Sequence, residues 1–95
     1  MNVVADLCIV PMGVGPSVSA YVREIKALIE ASGLDAQMHA NGTNIAGELS
    51  DICKLIELCE DKLSASGVQR VFYTMAFSSR RDKAQSMADK LAAVS

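Results

Sequence analysis

Residues 3–22 read VVADLCIVPMGVGPSVSAYV: an apolar run, a loop broken by Gly13 and Gly15, a serine, and the start of an amphipathic segment. A run of this kind is a strand feeding a helix through a tight turn. Val3, Ala5, Leu7 and Ile9 fall on one face of the strand and Val4, Asp6, Cys8 and Val10 on the other. Both faces are largely apolar, so Val3 to Met12 reads as a central strand that Pro11 brings to an end. Asp6 is the exception, because a carboxylate in such a strand needs a partner, a ligand or water. The turn delivers backbone N–H groups and small hydroxyls to a helix start, a usual place for small polar or anionic ligands, and makes this the first candidate site. A GxG pair alone is a weak phosphate signature, and the further glycines or GK[ST] of nucleotide loops are missing.

Downstream of this unit, Val18, Tyr21, Val22, Ile25, Leu28 and Ile29 recur at helical spacing, with Glu24 and Glu30 opposite and Gly33 as the C-terminal stop. Leu34 to Asn41 alternates Ala36, Met38 and Ala40 against Gln37, His39 and Asn41. The dipeptide Asn41-Gly42 predicts a hairpin returning through Thr43 to Ala46, with Gly47 breaking the strand. Glu48 to Ser66 reads as a second helix whose inner stripe is Leu49, Ile52, Leu55, Ile56, Cys59 and Leu63. Val68 to Ser78 is β-branched and aromatic, with Val71, Tyr73, Met75 and Phe77 against Phe72, Thr74, Ala76 and Ser78. A short helix over about Asp82 to Ala93, with Ala84, Met87, Ala88 and Leu91 inward, closes the chain.

The order β-α-β-β-α-β predicts an α+β, ferredoxin-like sandwich over residues 1–95: a four-stranded antiparallel sheet with two helices on one face and a short C-terminal helix. The other face carries Val4, Cys8, Val10, Phe72 and Ala76 with a few polar groups. An apolar face of that size is expected to pack against another subunit, with any pocket at that interface.

Composition narrows the function classes. The 95 residues are 51% hydrophobic and 21% charged, with a net charge of -2, as in an ordinary folded domain. Nucleic acid is not an expected partner, since Arg80, Arg81 and Lys83 beside Asp82 read as a solvated loop. No apolar stretch has the length of a membrane helix, and a cytoplasmic location is expected. Cys8, Cys53 and Cys59 show neither disulfide nor zinc spacing, and no metal is expected. His39 is the only histidine and has no nucleophile or acid-base partner at a recognisable spacing, so it reads as a surface or interface residue. An enzyme built on Cys8 or His39 would lack the rest of its catalytic set.

Three stretches together, IVPMGVGPSVSAYV, HANGTNIAG and GVQRVFYTMAFSSRRDK, resemble the small thiamine-binding proteins, single-domain proteins long grouped as an uncharacterised family. The resemblance spans essentially the whole chain. It implies a ferredoxin-like fold, dimers assembling into tetramers, and non-enzymatic binding of thiamine or its hydroxymethylpyrimidine part as ligand, with no further cofactor. By position, Ser17, Ser19 and Tyr21 match the family's serine-rich helix start, Thr43 the threonine after the glycine, and Arg80 or Arg81 the turn after the last strand. A flat aminopyrimidine asks for an apolar or aromatic slot with a few hydrogen-bonding groups, and a thiazolium cation for an acid nearby. The expected ligand-binding residues are therefore Ser17, Ser19, Asn41, Thr43 and Thr74 for hydrogen bonds, Phe72 for an aromatic wall, and Asp6 or Glu48 for the cation. Relatives commonly read I-E-G after the threonine where this chain has Ile45-Ala46-Gly47, which leaves Glu48 as the acid in that stretch. A regulatory or interaction module that binds a different small molecule or a protein is the alternative.

Overall fold

A computed structural model describes residues 1–84 and 86–95, with the side chain of Ser17 outside the described part. The chain runs β1 (Asn2–Met12), a 3₁₀ turn (Gly15–Ser17), α1 (Val18–Ala31), β2 (Asp35–His39), β3 (Gly42–Glu48), α2 (Leu49–Ala65), β4 (Arg70–Ser79) and α3 (Met87–Ala92). All strand pairs are antiparallel and the sheet order is β2-β3-β1-β4. This is the ferredoxin-like α+β arrangement, with β1 central.

The strand alternation has a direct outcome in packing. Val3, Ala5 and Leu7 of β1 and Ile45 of β3 are buried beneath Ile25 and Ile29 of α1 and Ile52, Leu55, Cys59 and Leu63 of α2. Cys53, one position off that stripe, is exposed. Glu24 does not stay in solvent: it is half-buried and its carboxylate accepts from the Ser66 hydroxyl at 3.1 and 3.3 Å, tying α1 to the C-cap of α2. Tyr73 of β4 donates to the carboxylate of Glu60 on α2, and burial together with that bond holds its hydroxyl well above the usual phenol range. Burial likewise pushes the Cys59 thiol up to about 11.

Three boundaries differ from those the sequence predicts in ways that bear on the packing. Pro11 does not end β1; it pairs with Val71, and Met12 with Arg70. Beyond Leu7, β1 has no partner in β3, and a proline is tolerated where its missing N–H faces an empty side. Gly47 does not end β3 either, since it pairs with Val3, and Leu34 covers it so closely that a Cβ there would lie 3.2 Å from Leu34 Cδ2. The third helix is only Met87–Ala92, because Ser86 caps it: the Ser86 hydroxyl accepts from the Asp89 N–H at 3.1 Å and the Asp89 carboxylate from the Ser86 N–H at 3.0 Å. None of its residues is buried, and Leu91 is 61% exposed, so the inward stripe expected for it is not formed.

The hairpin is present but shifted by one residue. His39 pairs with Gly42, so Ala40 and Asn41 form the loop, and no non-glycine residue among those described has a positive φ. A type I′ turn on Asn41-Gly42 is thereby excluded. Instead the Asn41 N–H donates to His39 Nδ1 at 3.2 Å, which fixes the loop from a side chain. Gly42 is required by proximity, since a Cβ there would sit 2.8 Å from the Leu7 carbonyl oxygen.

Two stability measurements follow from this packing. Ile52→Ala removes a fully buried side chain and is expected to lower unfolding stability by about 2–5 kcal/mol in urea titration with an unchanged m value. Gly42→Ala is expected to cost roughly 1–3 kcal/mol, because the atom it meets belongs to the central strand's backbone and cannot swing aside; a neutral substitution would contradict the close approach.

Candidate functional site

β1 outruns β3. β3 pairs with β1 from Asn2 to Leu7 only, whereas β4 follows β1 to Met12. The edge of β1 from Cys8 onward therefore faces a gap, closed on one side by α1 and at its end by the β2–β3 hairpin. The gap is a cleft of about 300 Å³. Its walls are Leu7, Ile9, Val22, Ile25 and Met38, and its polar groups come from Cys8, His39, Asn41 and Thr43. The Leu7 carbonyl lies against Gly42 of β3, so the two-residue alternation of a strand turns the N–H and C=O of Ile9 to that same side, into the cleft.

Thr43 is the cleft's most unusual polar group. It is only 4% exposed, the one buried polar residue among those described, and it enters no side-chain hydrogen bond there. No described buried side-chain nitrogen or oxygen lacks a partner, which leaves the Thr43 hydroxyl opening on the cleft rather than sealed in the core. Directly opposite it on β1 is Leu7, and on β2 Met38.

On the far side of the sheet, the central carboxylate has found its partner. His39 Nε2 lies 2.8 Å from Asp6 Oδ1, and since Nδ1 already accepts the Asn41 N–H, the neutral ring carries its proton on Nε2 and donates it to Asp6. Both ring nitrogens are engaged in orienting the hairpin, so neither is available to activate Cys8. Asp6, with a side chain 55% exposed, sits in a row of four residues across the sheet, Gln37, Asn44, Asp6 and Ala76.

The expected site residues separate into groups. Asn41 and Thr43 line the cleft, and Asp6 reaches it through His39. Ser19 is exposed, one turn before Val22 on α1; Ser17 lies outside the described side chains. Thr74 and Phe72 are on the open face opposite Cys8 and Val10. Glu48 is at the other end of β3, where its carboxylate pairs with the Met1 ammonium at 2.8 Å. Sequence reasoning missed Ile9, Val22 and Met38 as cleft walls and His39 as Asp6's partner. Asp6 in an apolar strand was the available signal, but the β1–β3 register was needed to say which residue answers it.

Comparison with known proteins agrees with this architecture. The profile of the family described as thiamine-binding protein matches residues 5–95. UPF0045 protein sll0230 of Synechocystis is 39% identical over 94 residues, covering 99% of this chain and 78% of that protein. UPF0045 protein ECM15 of Eremothecium gossypii is 35% identical, covering 96% and 88%. The crystal structure of MJ1052 from Methanocaldococcus jannaschii superposes with a TM-score of 0.87 at 31% identity, covering 98% of this chain and 95% of that one. No helix among the described residues is long and apolar enough to cross a membrane. With a ferredoxin-like sheet, a cleft at the free edge of its central strand, and a family profile that spans nearly its whole length, the chain belongs to the thiamine-binding protein family.

Proposed function

We propose that this protein binds thiamine, or its hydroxymethylpyrimidine part, in the cleft beside β1 and performs no chemistry on it. The observation that carries this proposal is the hydroxyl of Thr43, a residue only 4% exposed, which makes no hydrogen bond among the described residues and opens on an otherwise apolar slot. A flat heteroaromatic ring needs apolar surfaces above and below and hydrogen-bonding groups in its plane. The slot offers Ile9, Val22 and Met38 for the faces, and Thr43, Asn41 and the free β1 backbone for the edge. Because that hydroxyl opens on the cleft, a ligand that brings an in-plane donor or acceptor can bond to it in place of solvent.

The cationic thiazolium is assigned to the Asp6 side, where a half-exposed carboxylate lies beyond the hairpin. Ser19, one turn before Val22 at the helix start, would border the mouth of the site, and Thr74 and Phe72 would extend it along the open face. Glu48 is left out of this protomer's site, because it lies six strand positions from Gly42, roughly 20 Å at about 3.3 Å per residue. The family's description names binding, and His39's two committed nitrogens support a protein without turnover. The three free cysteines suit a reducing, cytoplasmic setting.

The open face is proposed to pack against a second copy of the chain, as a dimer that assembles further into a tetramer. Phe72 at 57%, Met12 at 42% and Val10 at 40% exposure form a contiguous apolar strip on neighbouring strands, a surface that monomers seldom leave in water.

Isothermal titration with thiamine and with hydroxymethylpyrimidine is expected to give saturable heat with Kd on the order of micromolar, and Thr43→Val, a near-isosteric loss of the hydroxyl, to weaken it roughly tenfold. Absence of saturable heat from the folded wild type would overturn the ligand. In light scattering after gel filtration, Phe72→Glu is expected to shift an oligomer towards monomer, because a charge would be buried against the partner's apolar strip; a monomeric wild type at tens of micromolar would contradict the interface.

A further inference from the structure

The turn after β4 does more than form a solvated loop. With α3 it folds back over the Asn2, Val4, Ala46 and Ser78 end of the sheet and encloses a second, larger cleft of about 780 Å³. This cleft shares no lining residue with the first: Gly42 borders one and Ala46 the other, roughly 13 Å apart along β3 at about 3.3 Å per residue.

Its charge is opposite to that of the chain. The protein as a whole carries nine Lys and Arg against eleven Asp and Glu, a net charge of -2. The cleft is lined by four of those cations, Arg80, Arg81, Lys83 and Lys90, and by two carboxylates, Asp35 and Asp89, which leaves its lining at +2. Asp89 is already committed as the cap of α3, and the N–H and hydroxyl of Ser86 hold its carboxyl below the usual range. Asp82 is held by the Arg80 guanidinium through Nε at 2.6 Å and Nη2 at 3.0 Å, which fixes the loop. Lys90 donates to the Ser78 hydroxyl at 3.0 Å, joining α3 to β4 across the cleft. The Arg81 side chain makes no hydrogen bond or salt bridge among the described residues, and Lys83, whose backbone N–H meets the Asp82 carboxylate, keeps its ammonium close enough to Asp89 to help lower that carboxyl.

We propose that this basic cleft is a second binding site, specific for a small soluble phosphate ester or diphosphate. Cationic side chains converge on it from the β4–α3 loop and from α3, and Ser78, Ser79 and Ser86 add short hydroxyl donors. With Arg80 held by Asp82, an anion with several charged oxygens can still meet Arg81, Lys83 and Lys90 together, whereas a single carboxylate would leave most of them unpaired. The volume exceeds what a bare phosphate fills, so an organic body fits beside Val4 and Ala46. The site is independent of what occupies the first cleft.

The test is titration of inorganic pyrophosphate into the full chain at low and at moderate sodium chloride, by calorimetry and by amide chemical shifts. The proposal expects saturable binding that weakens with salt, shifts centred on Ser78–Ser79 and α3, and a loss of roughly tenfold or more in R81A/K83A. Both substituted side chains are exposed, so that variant is expected to keep the wild-type circular dichroism spectrum. Thr43→Val, in the other cleft, is expected to bind pyrophosphate as the wild type does. No saturable binding, shifts confined to other surfaces, or equal affinity in R81A/K83A would each overturn the proposal.

Discussion

The cleft beside β1 depends on one mismatch of length, the point where β3 stops pairing with β1. Up to Leu7 the central strand is held from both sides; from Cys8 to Met12 it has β4 alone. Backbone groups left without a strand must be met by solvent, side chains or ligand, and the space beside them is roofed by Val22 and Ile25 of α1. The hairpin that ends β3 at this point is held by two devices. Gly42 brings the turn against the Leu7 carbonyl, and His39 bridges from the Asn41 N–H to the Asp6 carboxylate. A cleft wall thus reports on the open face of the sheet, since the same imidazole touches both.

The rest of the fold supplies the rigidity that such a gap needs. Ile45, Ile52, Leu55, Cys59 and Leu63 are fully or almost fully buried, and they fasten α2 across the sheet independently of the cleft. Ser66 and Glu24 join the two main helices at one end, and Tyr73 with Glu60 joins α2 to the edge strand. By contrast α3 has no buried residue and is held by its capping box and by Lys90 on Ser78. One end of the sheet therefore carries a cleft with walls drawn from the core, and the other a cleft whose lid rests on polar contacts.

Much of the architecture was legible because its signals are local. The helical stripe from Ile52 to Leu63 and the two-residue alternation from Val3 to Val10 each name a face, and the β-α-β-β-α-β order leaves few ways to combine them. Pro11 and Gly47 misled for a shared reason: each is a strand breaker in isolation, and each is tolerated because of a neighbour remote in sequence, the absent β3 partner in one case and Leu34 in the other. Asn41-Gly42 marked a hairpin correctly but not its register, because Gly42 answers to Leu7 rather than to turn conformation. For the site, Thr43 and Asn41 were named on resemblance, while the cleft walls Ile9, Val22 and Met38 look like any other core positions until the strand lengths are known. The basic residues after Ser79 showed their charge in the sequence but not their concavity, which depends on where α3 folds back.

The most direct measurement is a titration of thiamine into isotopically labelled protein, followed through backbone amide shifts. Binding beside the free edge of β1 requires the saturating shifts to fall on Cys8 to Val10, on Ala40 to Thr43 and on the turn of α1 around Val22. Saturating shifts that spare those three segments, or no shifts from a folded protein, would show that the cleft opened by the β1–β3 mismatch is not where the ligand is held.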